Sequence, residues 1–86
     1  MENESLIRIS DVISKTGMKR PTIYQHIARG LFPKPIKLGS RLAAWPLGEV
    51  NKIIAARISG NDNKQICELV DQIHNDRQLP KVEPIR

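Results

Sequence analysis

Apolar residues recur at helical spacing in four segments of this chain, and at a spacing of two in one segment between the second and third of them. Because side chains share a face every 3.6 residues in a helix and every two in a strand, the pattern predicts four helices and one hairpin. The predicted helices cover residues 11 to 16, 20 or 21 to 29, 46 or 47 to 59, and 64 to about 75.

Short polar signals mark the predicted helix ends. Ser10 is expected to cap the first helix, with Asp11 in its first turn, where the helix dipole favours a negative charge. Gly17, Gly30 and Gly60 are expected to end the first three helices, since glycine readily adopts the left-handed conformation found at such ends. The first two helices are therefore joined by a turn of three residues, 17 to 19.

The hairpin is predicted from residues 36 to 45. Ile36 to Leu38 alternate in the β sense, Gly39-Ser40 suits a two-residue turn, and Arg41 to Trp45 form the returning strand. A β-prone run at residues 6 to 9 is too short to predict a strand.

The apolar stripes define the expected core. In the first three helices and the hairpin it comprises Val12, Ile13, Ile23, Ile27, Ala28, Trp45, Val50, Ile53, Ile54 and Ile58. In the fourth helix it comprises Ile66, Leu69, Val70 and Ile73. That last stripe either caps the core or pairs with another copy or a partner protein, and capping is the favoured interpretation.

The domain organisation follows from these elements. Residues 1 to 60 are predicted to form one small domain, and residues 61 to 76 a C-terminal helix that packs on it or mediates association. Residues 77 to 86, with two prolines and mixed charges, are expected to be a disordered tail.

Charge is distributed unevenly along the 86 residues, which carry a net charge of +5. Between Val12 and Gly48 there is no acidic residue, yet seven of the fourteen lysines and arginines lie there. These seven are Lys15, Lys19, Arg20, Arg29, Lys34, Lys37 and Arg41. A folded surface that carries only positive charges indicates a polyanionic partner, and nucleic acid is the expected one.

Several other functions find no support in the residues. We see no apolar run of membrane-spanning length and no signal peptide, so an intracellular, cytoplasmic protein without membrane partners is expected. Cys67 and His74 share a helical face, but zinc sites need more ligands than this chain offers, so no metal or other cofactor is predicted. The sequence also lacks a P-loop, a dinucleotide-binding glycine motif and a nucleophile elbow, and no enzyme is predicted.

Two short helices joined by a three-residue turn and followed by a hairpin predict a winged helix-turn-helix, mainly α, with an extra C-terminal helix. In this motif the second helix enters the major groove of DNA. Gln25 can pair with adenine, Arg20 can pair with guanine or hold a phosphate, and Tyr24 either contacts a phosphate or closes the core edge. The predicted DNA-binding residues are Lys19, Arg20, Thr22, Tyr24, Gln25 and Arg29 on the second helix, and Lys34, Lys37, Ser40 and Arg41 on the wing.

The run GMKRPTIYQHIARGLFPKPIKLGSRLAAW at residues 17 to 45 resembles the AlpA family of small phage and prophage regulators. The resemblance extends through LIRISDVISKT upstream and PLGEVNKIIAARI downstream, and so covers about residues 6 to 58. Lys19 and Pro21 stand where the family often has serine, and Leu42 is a bulky choice in the returning strand. The fourth helix lies outside the resemblance.

The resemblance implies a MerR-like winged helix-turn-helix protein encoded by a prophage or related integrating element. Such proteins act as transcriptional regulators or as excisionases, which direct an integrase toward excision. The implied partner is double-stranded DNA at a promoter or attachment site, with integrase, RNA polymerase or further copies as possible protein partners. A protein-interaction module working through the fourth helix is the alternative; RNA binding fits less well, because exposed aromatic residues are few.

Overall fold

A computed structural model describes residues 5 to 78. The chain forms two short strands, β1 (Leu6–Ile7) and β2 (Ile36–Lys37), and a longer strand, β3 (Ala43–Pro46). Four helices complete it: α1 (Ile9–Thr16), α2 (Arg20–Ala28), α3 (Leu47–Ile58) and α4 (Asn63–Gln78). The predicted winged helix-turn-helix architecture with an additional C-terminal helix is confirmed.

The strands form a small antiparallel sheet in the order β1-β3-β2. Lys37 pairs with Ala43 in the wing, and Ile7 pairs with Trp45 on the opposite edge of β3. The run at residues 6 to 9, too short to predict a strand, therefore supplies a strand whose pairing comes from a segment about forty residues away in sequence. This pairing ties the start of the chain to the base of the wing.

The first helix begins earlier than its sequence signals predict. Arg8, not Ser10, occupies the N-cap position, and its backbone N–H donates to the Asp11 carboxylate at 3.3 Å. An acidic side chain at the third helical position can reach back to the cap in this way, so Asp11 sets the start of the helix. The predicted end is confirmed, since Gly17 has φ 76° and donates to the Ile13 carbonyl.

The wing loop also differs from its prediction. Leu38 donates its backbone N–H to the Leu42 carbonyl at 2.7 Å, so three residues (39 to 41) form the loop instead of the predicted two. Gly39 does not have the positive φ that a Gly-Ser two-residue turn would need. Arg41 thus lies at the wing tip and not in the returning strand.

The core is formed mainly by aliphatic side chains around Trp45 and Phe32. Its buried residues are Val12, Ile23, Leu31, Phe32, Ala44, Trp45, Val50, Ile53, Ile66, Val70 and Ile73. The indole N–H of Trp45 donates to the Pro33 carbonyl at 2.9 Å, and its ring meets Phe32 edge-on at 6.2 Å. The predicted core residues Ile13, Ile27, Ile54 and Leu69 are partly buried against this cluster.

Two predicted core residues lie on the surface. Ile58, at the last position of α3, is 80% exposed because no described element covers that side of the final turn. Ala28 is exposed because it stands five residues after Ile23, which places it about 140° around the helix from the buried side.

The fourth helix packs its apolar stripe into this core. Ile66, Val70 and Ile73 are at most 2% exposed. Asp62 and Gln65 form a reciprocal pair at the start of the helix, in which each side chain accepts the other's backbone N–H at 2.9 Å. The helix ends at Gln78, three residues beyond the predicted end, so Arg77 belongs to it and not to a tail. The rest of the predicted tail, residues 79 to 86, lies outside the described residues.

Candidate nucleic-acid interface

The turn between α1 and α2 is fixed by side-chain hydrogen bonds. Thr16 donates its hydroxyl to the Val12 carbonyl at 2.8 Å and accepts the Met18 N–H at 3.1 Å. Lys19 then forms the N-cap of α2 without a side-chain capping bond, and Pro21 lies in the first turn. The free N–H groups at this helix start are a favourable site for an anion.

The far end of α2 is closed by a glycine turn. Gly30 has φ 77°, and Leu31, which is buried, donates its N–H back to the His26 carbonyl at 2.8 Å. This is the hydrogen-bond pattern of a Schellman-type end, in which the residue after the glycine packs on the helix it terminates. Both ends of α2 are therefore set by neighbouring segments, and its outer face is left for a partner.

The predicted DNA-binding side chains lie on the surface. Nine of the ten are exposed, and Thr22 is half-buried. The exposed nine are Lys19, Arg20, Tyr24, Gln25, Arg29, Lys34, Lys37, Ser40 and Arg41. Tyr24 keeps 44% of its surface exposed, so it does not close the core.

A groove of about 250 Å³ lies between the second helix and the wing. Tyr24 lines the side of the groove formed by α2, and Lys37, Ser40 and Arg41 line the side formed by the wing. Four of the ten predicted residues, from segments some fifteen residues apart in sequence, therefore line one concavity. Lys34 precedes the wing, and its side chain is exposed at the wing base.

The opposite flank of α2 lines a second groove, of about 330 Å³. His26 meets Lys15 and Met18 there, together with Arg57 and Ile58 from the end of α3. Burial lowers the pKa of His26 below its ordinary value, and the positive charges of Arg57 and Arg29 lower it further. A neutral His26 turned to this flank lies away from the Tyr24 groove.

The electrostatics of the predicted interface are one-sided. None of the seven cations in the acid-free stretch forms an ion pair with a carboxylate of residues 5 to 78; the pair found there joins Arg77 and Glu49. In the same range, no three His, Cys, Asp or Glu side chains are arranged to hold a metal ion. No helix in this part of the chain combines the length and apolar character needed to cross a membrane.

Sequence reasoning missed three residues of this region. Helical spacing predicts Ala28 in the core, but it stands on the exposed side of α2 with Pro21 and Gln25, and its offset from Ile23 is the signal that could have shown this. His74 and Arg77 contact the backbone of Lys34 at the wing base. Those contacts join residues about forty positions apart, and no local pattern indicates them.

The fold and this surface define a small winged helix-turn-helix protein with a basic exposed face. The chain belongs to the family of the prophage CP4-57 regulatory protein, AlpA, whose model matches residues 5 to 58. It is also similar to the protein ORF88 of Enterobacteria phage P4, with 39% identity over 57 residues. That match spans 66% of this chain and 65% of the phage protein. The resemblance noted in the sequence is therefore confirmed, and α4 lies beyond the region that the family model matches.

Proposed function

We propose that this protein binds double-stranded DNA at specific sites, with α2 in the major groove and the wing on the adjacent backbone or minor groove. The observation that carries the proposal is the groove in which Tyr24 of α2 meets Lys37, Ser40 and Arg41 of the wing. A tyrosine hydroxyl and two cations around one concavity suit a sugar-phosphate strand running between helix and wing.

The outer face of α2 suits base recognition. Gln25 lies on that face and Arg20 in the first turn of the helix; both are exposed and carry the forked donors and acceptors that adenine and guanine edges require. Ala28, exposed on the same side as Gln25, is small enough to let the helix approach and offers a methyl group for contact with thymine. Lys19 at the helix start and Arg29 at its end are in position to hold the flanking phosphates.

The biological role follows from site-specific binding without catalysis in the bacterial cytoplasm. At a promoter, the bound protein would recruit or block RNA polymerase; at an attachment site, it would bend DNA for excision by an integrase. Both uses place the same demands on the winged domain, and further copies on adjacent sites fit either use. Membership in a prophage regulatory family supports this role.

The alternative, an interaction module working through α4, is less well supported. A partner would need the apolar stripe of the helix, and Ile66, Val70 and Ile73 are buried in the core of this chain. The exposed side of α4 is polar.

The test begins with selection of preferred duplexes from a random DNA library by the full chain. Arg20→Ala and Gln25→Ala should each reduce the preference for the selected site over scrambled DNA by roughly 1–3 kcal/mol, measured as a ratio of Kd values at fixed salt. Gln72→Ala, the same truncation on the exposed face of α4, is the matched control and should leave that ratio unchanged. Full preference retained by both α2 variants would exclude this placement of the reading helix.

A further inference from the structure

The last turn of α4 holds the backbone at the base of the wing. His74 Nε2 accepts the Lys34 N–H at 3.1 Å, and Arg77 Nη2 donates to the Lys34 carbonyl at 2.8 Å. Both backbone polar groups of Lys34 are thus bound by side chains of one helix face, since residues 74 and 77 are three apart. Lys34 stands two residues before β2, so these contacts fix the point at which the chain enters the wing.

The preceding residue is held as well. The Pro33 carbonyl accepts the buried indole N–H of Trp45, and the Pro33 side chain is buried. Consecutive residues are therefore anchored by β3 and by α4 before the wing begins, which leaves little freedom in the direction of β2.

The middle of α4 reaches the end of α2, the proposed reading helix. Cys67 Sγ lies 3.7 Å from the carbonyl oxygen of Arg29, the C-cap residue of α2, and close to Gly30. One helix thus contacts the start of the segment that joins α2 to the wing, residues 29 to 35, and also Lys34 near the end of that segment. We call Cys67, His74 and Arg77 the brace.

Arg77 of the brace also offsets the negative charge of Glu49. Arg77 forms a two-point ion pair with Glu49, with Nε donating to Oε2 at 2.8 Å and Nη2 donating to Oε1. Glu49 is the first carboxylate after the acid-free stretch, and both side chains are partly buried. Pairing it with Arg77 offsets its negative charge beside Lys34, where a free carboxylate would repel a phosphate.

We propose that α4 is a positioning element of the DNA interface, and that His74 and Arg77 fix the wing relative to the reading helix. The inference rests on the proposed DNA binding and extends it, because it adds to the functional unit a helix that the family model does not match. His74 and Arg77 are positioning residues in this proposal, since they act through the backbone of Lys34.

The decisive experiment is a double-mutant cycle for DNA affinity, using the full chain and checking by circular dichroism that each variant is folded. His74→Ala keeps the Arg77–Glu49 pair and removes one hydrogen bond to Lys34, and Arg77→Ala removes the other hydrogen bond and the pair. Each should weaken binding to the selected site by about three- to tenfold, a typical range for coupled neighbours. Gln72→Ala, on the same helix but on its exposed face, should have no effect.

The cycle is closed in a chain whose wing has lost its three cations, Lys34, Lys37 and Arg41. In the Lys34→Ala/Lys37→Ala/Arg41→Ala background, which keeps the backbone groups of residue 34, the effect of His74→Ala or Arg77→Ala should shrink to about twofold or less, because the wing then has no charged contact with DNA that could be misplaced. An undiminished effect in that background would show that α4 acts only through general stability and would overturn the inference. If the background variant itself bound DNA as tightly as the original protein, the proposed wing interaction would fail instead, so the two failures are distinguishable.

A spectroscopic measurement tests the brace without DNA. Because the Lys34 N–H donates to Nε2, neutral His74 must carry its proton on Nδ1, and ¹⁵N NMR of the imidazole should show that tautomer.

A substitution that keeps the acceptor gives a second test, this time with DNA. His74→Gln should bind DNA nearly as tightly as the original protein, unlike His74→Ala. A proton on Nε2 of His74 at neutral pH, or no difference between the Gln and Ala variants, would contradict the proposed hydrogen bond.

Discussion

Helix α2, the proposed reading helix, and the C-terminal helix α4 are constructed in opposite ways. Within α2 a single side chain, Ile23, is buried, and the helix has no side-chain cap. In α4 three side chains of the apolar stripe are buried, and Asp62 and Gln65 cap its start. The short helix α2, whose surface is proposed to bind DNA, adds few buried side chains to the core, and the long helix α4, outside the matched region, adds more.

The two helices also differ in charge, since α2 and its flanks are basic and α4 carries acidic as well as basic residues. The reading helix contains Arg20 and no acid, and the positions flanking it are Lys19 and Arg29. The fourth helix carries Glu68, Asp71 and Asp76 against Lys64 and Arg77. A polyanion should therefore be attracted to α2 more than to α4, so the proposed division between binding and support is also an electrostatic one.

The largest expected effect tests the supporting role. Ile66→Ala in α4 should lower the free energy of unfolding by about 2–5 kcal/mol, because it removes a fully buried side chain and leaves a cavity. Ile58→Ala makes the same chemical change at an 80% exposed position and should stay within about 0.5 kcal/mol of the original protein. Urea denaturation measures both. Equal effects at the two positions would show that α4 does not stabilise the domain.

A smaller effect tests the electrostatic division. Lys37→Ala on the wing should weaken binding to all DNA sequences alike and lower the slope of log affinity against log salt by about 0.9 for each phosphate interaction that it removes. Lys64→Ala, an exposed lysine of α4, removes the same charge and should leave the slope unchanged. Titrations at several salt concentrations compare the two. An equal change in slope for both variants would mean that binding depends on net charge alone.

The smallest expected effect is a loss of stability as the pH is lowered. The pKa of His74 is lowered by burial first, then by Arg77 and Lys34, and partly raised by Glu49 and Asp71. The pKa of His26 is lowered in the same direction by burial, Arg57 and Arg29. Since both folded-state pKa values lie below 6.5, their contribution to stability is complete above pH 6.5 and is lost as pH falls through those lowered values.

The urea concentration at the unfolding midpoint should therefore decrease as the pH is lowered from 6.5 toward the range in which most carboxylates titrate. His74→Gln should make this decline shallower, and a second substitution, His26→Gln, should nearly remove it. A decline of the same size in the double variant would assign it to other groups.

Local signals predict the elements well because they act over a few residues. Gly17, Gly30 and Gly60 mark helix ends by a backbone preference that depends on no distant contact, and all three have positive φ. The predicted DNA-binding residues on α2 and the wing can be found for a similar reason, because the acid-free basic stretch and the order of the helices and hairpin are visible in the sequence itself. Their contact with DNA stays a prediction.

The features that sequence reasoning missed depend on tertiary contacts. β1 is too short to be recognised alone and exists because β3 pairs with it. Ile58 has the right spacing for the core, but its exposure depends on where the neighbouring elements end. The sequence assigns no role to His74 once a metal site is set aside for lack of ligands, and its hydrogen bond to Lys34 spans 40 positions.

Trp45 gives this small protein an internal optical reporter. It is the single tryptophan of the chain, and its indole is buried with its N–H on the carbonyl that immediately precedes Lys34. Indole emission responds to hydrogen bonding and to the polarity around the ring, so its wavelength follows the state of the wing base. Changes at the wing base that alter this hydrogen bond, such as loss of the His74 or Arg77 contacts with Lys34, are therefore expected to shift the emission of the unlabelled protein.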